Sequence, residues 1–315
     1  MATQMLSIQP DKDEQLVLGS LTSGSSTYQV QSLIGKGAFG KVAKCLRMED
    51  KKIVAIKMIK KQGCNEKQTN REVAALKSLK SLDPDKCNLV RWYQEFTDKE
   101  HVCLVFEYLE KSLYDFIKER NSKPLLLMEI RPIVQQLATA LYHLKAAGLI
   151  HADLKPENVM LVNHLQEPFR VKIIDFGLAC NISAARTGSY IQSLFFRSPE
   201  IILGYPFTEA IDMWSLGCIA ASMYLGTWLY PGRSEYDMIR FISATQGQPP
   251  HNLLSLGSKT SHFFQRFKNS TTLWQLKTPE QIHKQTGVQP KETRRIKLSS
   301  LDGLLHVGLL FDYST

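Results

Sequence analysis

The chain has 315 residues, a formal net charge of +9, 43% hydrophobic and 22% charged residues. That is enough for one large or two small domains with a buried core, at an ordinary globular composition. No run reaches the ~18–20 apolar residues that a membrane span needs, and residues 1–20 lack the basic start and apolar run of a signal peptide. An intracellular, reducing setting is the expectation. Lys and Arg are scattered and form no stripe with interleaved aromatics, so direct nucleic-acid binding is not expected. Six cysteines, at 45, 64, 87, 103, 180 and 218, form no CxxC pair and no zinc spacing, and read as small buried residues.

In chain order, residues 1–26 are polar and read as a flexible lead-in. Strand-like runs follow at Tyr28–Ile34, Lys41–Arg47, Ile53–Ile59, Leu89–Phe96 and His101–Glu107, with one helical stretch at Glu66–Leu82. Residues 27–107 therefore predict a β-rich lobe with one helix, ending in a hinge near Glu107. From residue 108 to 300 the pattern turns helical. Met128–Ala147 carries a stripe of Ile130, Val134, Leu137, Leu141 and Leu144, closed by Gly148. Short strands are predicted at Asn158–Val162 and Val171–Ile174, and a helix that is apolar nearly all round at Glu209–Leu225. The fold class is α+β and bilobal.

Four segments carry chemistry. Gly35-Lys-Gly37-Ala-Phe-Gly40 is a GxGxxG between two strands, where glycines let backbone N–H groups approach phosphate oxygens. A dinucleotide fold would require a helix after the glycines. Lys57, in the apolar run Val54-Ala-Ile-Lys57, is costly to bury unpaired, and Glu72 on the following helix is the candidate partner. His151-Ala-Asp153-Leu-Lys155-Pro-Glu-Asn158 packs an acid, a base and an amide into eight residues. Asp153 can accept the proton of an attacking hydroxyl, Lys155 can neutralise a moving phosphoryl group, and Asn158 can offer an amide oxygen to a metal. Asp175-Phe-Gly177 ends an apolar strand and places a carboxylate where Mg²⁺ could be held. Each segment has a plainer reading: a hairpin turn, a snorkelling Lys, a polar loop, a strand-ending turn.

Taken in order, with Pro199-Glu200 and Asp212-Met-Trp-Ser-Leu-Gly217, these motifs resemble the eukaryotic protein kinase family over residues ~27–300. The finer segments Cys103-Leu-Val-Phe-Glu107, Leu149–Asn158, Tyr190-Ile-Gln-Ser193 and Ala210–Cys218 are similar to the homeodomain-interacting protein kinases, with the dual-specificity tyrosine-regulated kinases next. The resemblance implies ATP and Mg²⁺ as cofactors. Ile34, Gly35, Gly37 and Gly40 would cover the nucleotide, and Lys57 would pair with its phosphates and with Glu72. Val42, Ala55 and Met160 would sandwich the adenine, Phe106 would be the gatekeeper, and backbone groups of Glu107 and Leu109 would bond the adenine edge. Asp153 would be the catalytic base, Asn158 and Asp175 would hold Mg²⁺, and Asp212 would brace the catalytic loop. Lys155 two residues after the base implies transfer to Ser and Thr. Tyr190 would be autophosphorylated, with Arg197 as a phosphate partner. Protein substrates that include transcriptional regulators, and a nuclear or partly cytoplasmic location, follow from the same resemblance.

Three departures stand out. Ala152 replaces the usual Arg before the base, as in this branch. Relatives carry an Arg where Leu194 stands, which would leave a Tyr190 phosphate one contact short. After Asp302 the tail, residues 301–315, turns into an atypical apolar run, and the helical lobe reads as truncated. Glu200 would then be a buried carboxylate without an Arg, and the chain less stable than a full domain. The leading expectation is an active Ser/Thr kinase, the alternative a weakly active, kinase-like regulatory or binding module.

Overall fold

The computed structural model describes residues 19–37, 40–61, 65–266 and 274–307. They divide into two compact units, with the boundary between Leu109 and Glu110.

The first unit is an antiparallel sheet of β1 (Ser20–Ser23), β2 (Ser26–Gly37), β3 (Gly40–Arg47), β4 (Ile53–Lys60), β5 (Trp92–Asp98) and β6 (His101–Glu107), with helix α1 (Asn65–Leu79) between β4 and β5. The spatial order is β1-β2-β3-β4-β6-β5. In β4, alternation sends Val54, Ile56 and Met58 into one core with Tyr28, Val30, Ala43, Cys45, Cys103 and Val105. Ala55 and Lys57 point to the other face. The predicted lead-in is thus structured from Ser20 onwards, because Leu21 enters this core and β1 pairs with β2. Residues 1–18 lie outside the described residues. The strand predicted at Leu89 begins at Trp92, and the helix predicted to reach Leu82 ends at Leu79, where Lys80 N–H folds back onto the Lys77 carbonyl at 3.2 Å.

The second unit is mainly helical. It contains β7 (Lys111–Ser112), α2 (Leu113–Glu119), α3 (Leu127–Ala146), β8 (Leu149–Ile150), β9 (Val159–Leu161), β10 (Val171–Ile173) and β11 (Cys180–Asn181). Next come α4 (Pro199–Leu203), α5 (Ala210–Leu225), α6 (Glu235–Gln246), α7 (His251–Leu256), α8 (Thr260–Phe263), β12 (Phe264–Arg266), β13 (Trp274–Leu276), α9 (Pro279–Thr286) and α10 (Leu304–Val307). The strand predicted from Asn158 starts one residue later, since Pro156–Asn158 closes a 3-10 turn. Helix α3 buries Ile130, Ile133, Leu137, Ala140, Leu141 and Leu144, and stops at Gly148 with a left-handed φ of 71°. Helix α5 packs on α3. Another face of α5 lines an apolar cavity of about 570 Å³ together with Leu301, Leu304 and Leu305, the described start of the atypical segment. Leu309, Leu310 and Phe311 fall outside the described residues. Glu200 is half-buried where a buried carboxylate was expected. Cys45, Cys87, Cys103 and Cys218 are buried and free, as expected; burial pushes the thiols of Cys45, Cys103 and Cys218 up to about 12. Cys180 is half-buried, and Cys64 lies outside the described residues. Among the described residues no helix is long and apolar enough to cross a membrane.

Tyr28 tests the first core. It is fully buried, stacks on Phe96 at 5.5 Å and accepts a 2.6 Å hydrogen bond from Gln94 Nε2. In urea unfolding, Tyr28→Phe is expected to cost about 1 kcal/mol and Tyr28→Ala about 3–5 kcal/mol.

Candidate active site

In the first unit, Lys57 Nζ donates to both oxygens of Glu72 at 2.7 and 2.9 Å. The strand period turns Lys57 away from the apolar core, and α1 brings up a carboxylate that is itself buried. The plain reading of a snorkelling lysine is therefore displaced by a desolvated ion pair. The three glycines differ. A Cβ on Gly40 would collide with the Met58 carbonyl, so packing alone requires glycine there. A Cβ on Gly35 would meet only Val42 at 3.6 Å, one on Gly37 would meet nothing, and neither has a positive φ. Protein packing does not demand glycine at these two positions, whereas close approach of an anion to the backbone would. Ala38 and Phe39 lie outside the described residues. Ile34 is exposed; Val42, Ala55 and Phe106 are half-buried. Glu107 N–H is taken by the Arg91 carbonyl at 3.0 Å, so at that residue only the carbonyl is a candidate for an adenine edge.

In the second unit the loop His151–Asn158 hangs from α5. Asp212 is buried and accepts the backbone N–H of His151 at 2.7 Å and of Ala152 at 3.0 Å. Burial pushes its carboxyl above the usual carboxylate range, while His151 and the two N–H groups pull it back. This brace holds Ala152 at φ 64°, a conformation costing an L-residue roughly 1–2 kcal/mol. His151 is buried, its Nδ1 accepting from Asp153 N–H at 3.3 Å and its Nε2 3.0 Å from the Ile174 carbonyl.

Four hydrogen bonds then converge on Asp153. Oδ2 accepts Lys155 Nζ at 2.8 Å and Asn158 Nδ2 at 3.3 Å; Oδ1 accepts the Ser193 N–H at 3.1 Å and its hydroxyl at 2.7 Å. Lys155 Nζ also donates to Ser193 Oγ at 3.1 Å. The amide nitrogen of Asn158 bonds the Asp153 carbonyl at 2.9 Å, which leaves the amide oxygen for a cation. Ile174 N–H bonds the Asn158 carbonyl at 2.9 Å and so sets Asp175 in register beside it. Asp175 has φ 63°, and its Oδ1 accepts Gly177 N–H at 3.2 Å. One amide oxygen and one carboxylate are a donor set suited to Mg²⁺, which takes few protein ligands beside phosphate oxygens. Met160, on β9, is half-buried.

Two residues of the segment Tyr190–Ser193 make contacts that the motifs do not announce. Ser193 is one, through its bonds to Asp153. Gln192 is the other: it is buried at φ 61°, and its N–H bonds the Ala152 carbonyl at 2.9 Å. Its side chain donates to the Ile211 carbonyl and Ser215 Oγ, each at 2.9 Å, and accepts Ser198 N–H at 2.9 Å. The available signal was an amide side chain, donor and acceptor at once, beside apolar Ile191. Arg197 lies beside Tyr190 and is held by several further partners. It is 2% exposed, and its guanidinium is committed to the carbonyls of Ile191 and Gln192 and to Glu235, with its face under the Tyr190 ring at 4.0 Å.

Residues 28–271 match the protein kinase domain. The chain is 52% identical over 302 residues to homeodomain-interacting protein kinase 1 of Mus musculus, covering 95% of this chain and 25% of that protein. It is 50% identical over 302 residues to homeodomain-interacting protein kinase 2 of Mesocricetus auratus (95% and 26%), and 44% identical over 289 residues to homeodomain-interacting protein kinase 4 of Mus musculus (90% and 47%). The chain thus spans between a quarter and a half of the length of these relatives. With the motifs in kinase order, a paired Lys57–Glu72 and a loop braced by Asp212, the chain belongs to the protein kinase family and is similar to the homeodomain-interacting protein kinases.

Proposed function

We propose that this chain is an ATP- and Mg²⁺-dependent protein serine/threonine kinase. The observation that carries the reading is the Ser193 hydroxyl on Asp153 Oδ1 at 2.7 Å, with Lys155 bridging the two. A serine hydroxyl donating to this carboxylate is the arrangement that an acceptor hydroxyl needs before transfer. Asp153 would take the proton as the hydroxyl oxygen bonds to the γ-phosphorus and the bond from that phosphorus to the β,γ-bridging oxygen breaks, ADP leaving with the electron pair, and Lys155 would balance the charge on the moving phosphoryl group. Asn158 and Asp175 would hold Mg²⁺, which neutralises phosphate charge when bound. Lys57, oriented by Glu72, would pair with the α- and β-phosphates, and Gly35 and Gly37 would admit the phosphates to the backbone. Radiolabel transfer to a basic protein substrate is expected to fall by about 10²-fold or more in Asp153→Asn, with ATP binding retained. Equal transfer by the two proteins contradicts the reading.

A preference for proline after the acceptor residue is supported by Gln192. Its left-handed φ turns the carbonyl onto Arg197, at 2.8 Å from Nη2 and 3.2 Å from Nε. That carbonyl is then unable to accept a substrate N–H, and proline has none to lose. Ser-Pro peptides are expected to exceed Ser-Ala peptides in kcat/KM by about tenfold, the order of one unmet hydrogen bond, with tyrosine peptides poorer than both. The names of the relatives point to homeodomain proteins as their partners. Transcriptional regulators of that class, met in the nucleus, are the proposed substrates here.

The glycines give a separate test. Gly40→Ala is expected to lower the melting temperature through its clash with Met58. Gly37→Ala is expected to leave the melting temperature unchanged and to raise KM for ATP. An unchanged KM in Gly37→Ala removes the phosphate-approach argument.

A further inference from the structure

The first turn of α5 has two duties. Asp212 braces the loop His151–Asn158, and the next two residues, Met213 and Trp214, line the apolar cavity of about 570 Å³. Gly217 lines it as well, in the middle of a 16-residue helix, where glycine is less favourable than alanine. Its φ is not positive, it is exposed, and a Cβ built on it would meet nothing within 4 Å. Among the described residues, neither backbone conformation nor packing demands a glycine there; close approach of a further segment would. Two other observations point to the same hollow. Leu127, Met213 and Leu305, all lining it, are large apolar side chains left exposed. The indole N–H of Trp214 is buried and meets no acceptor among the described residues, which is costly for a donor.

The chain itself supplies a segment of the right chemistry at the rim. Leu304 and Leu305 of α10 line the cavity, and α10 ends at the buried Val307. The sequence then runs Gly308-Leu309-Leu310-Phe311-Asp312 and on to Thr315, outside the described residues. These eight residues can span up to about 26–29 Å, more than the ~24 Å length of α5. Three apolar side chains come first, ahead of Asp312, the one charged side chain of the segment. They can be buried without desolvating an ion, and main-chain carbonyls beside them can accept the Trp214 N–H.

We propose that residues 308–315 dock in this cavity, with the run Leu309-Leu310-Phe311 packed over Gly217, and that the docked segment steadies the helix that carries Asp212. The occupant is this chain's own segment, not a second copy and not another protein. Since Asp212 and Met213 are neighbours on one turn, loss of the segment reaches the brace through a single rigid helix.

Two arms test this on the full chain. In the first, p-benzoylphenylalanine is placed at position 311 during translation, and equal parts of ¹⁴N- and ¹⁵N-labelled protein are mixed and irradiated. Mass spectrometry should find residue 311 joined to α5, at Met213 or its neighbours, within one isotope label. Joints of mixed label, which report a second copy, or none to α5, overturn the docking. The second arm uses the sign of a melting-temperature shift. On an open helix face Gly217→Leu would raise the melting temperature, because leucine is the better helix former. Under a docked segment it should lower it by about 5 °C through overpacking. In a chain that also carries Leu310→Ser and Phe311→Ser the same substitution should raise it by about 2–3 °C. A rise in both backgrounds, or an equal fall in both, overturns the docking. In the Leu310→Ser, Phe311→Ser chain the amides of His151 and Ala152 should exchange about threefold faster than in the wild type; unchanged exchange there overturns the support given to the brace.

Discussion

Two backbone N–H groups aimed at the buried Asp212 carboxylate are the constraint on which the second unit's chemistry depends. A carboxylate this deep is costly unless its oxygens are satisfied, and consecutive N–H groups of one loop satisfy it only if the chain turns sharply between them. The turn is Ala152 at φ 64°. Its strain is small beside the cost of an orphaned buried carboxylate, so the brace prevails. The residue that follows the turn is Asp153, and its direction is set by the brace.

The same turn is gripped from the other side. The Ala152 carbonyl accepts Gln192 N–H at 2.9 Å, and Gln192 is itself pinned to α5 through the Ile211 carbonyl and Ser215. One helix therefore carries both the loop that holds Asp153 and the segment that carries Ser193. Beneath them, Ile150, Ala152, Ile201, Phe207 and Ile211 form one apolar cluster. Linkage through a shared buried helix is stiff, because close-packed interiors do not deform by small degrees. It makes the placement of Ser193 against Asp153 a property of the fold rather than of two mobile side chains.

Much of this was legible in the sequence because it is local. The β4 alternation that buries Val54 and Ile56 and turns Lys57 outward, and the α3 stripe, are set within a few residues of themselves, and Asp153, Asn158 and Asp175 stand out as residue types in short motifs. What was not legible depends on long-range contacts. Ser193 lies 40 residues from Asp153, and only the fold brings them to 2.7 Å. The Gln192 carbonyl that binds Arg197 is presented by a left-handed backbone, and glutamine gives no advance sign of that conformation. The ordered strand at Ser20–Ser23 was hidden by its polar composition, since a single residue, Leu21, supplies its burial.

The most direct test of the brace is site-resolved amide hydrogen exchange at His151 and Ala152, in the wild type and in Asp212→Ala. Bonded to a buried carboxylate, these two amides should exchange as slowly as the interior of β4 in the wild type. In Asp212→Ala they should speed up by about tenfold or more, the order expected from losing a charge-assisted hydrogen bond, with Ile56 unchanged and phosphotransfer sharply reduced. Fast exchange at His151 and Ala152 in the wild type, or full phosphotransfer by Asp212→Ala, would contradict the account.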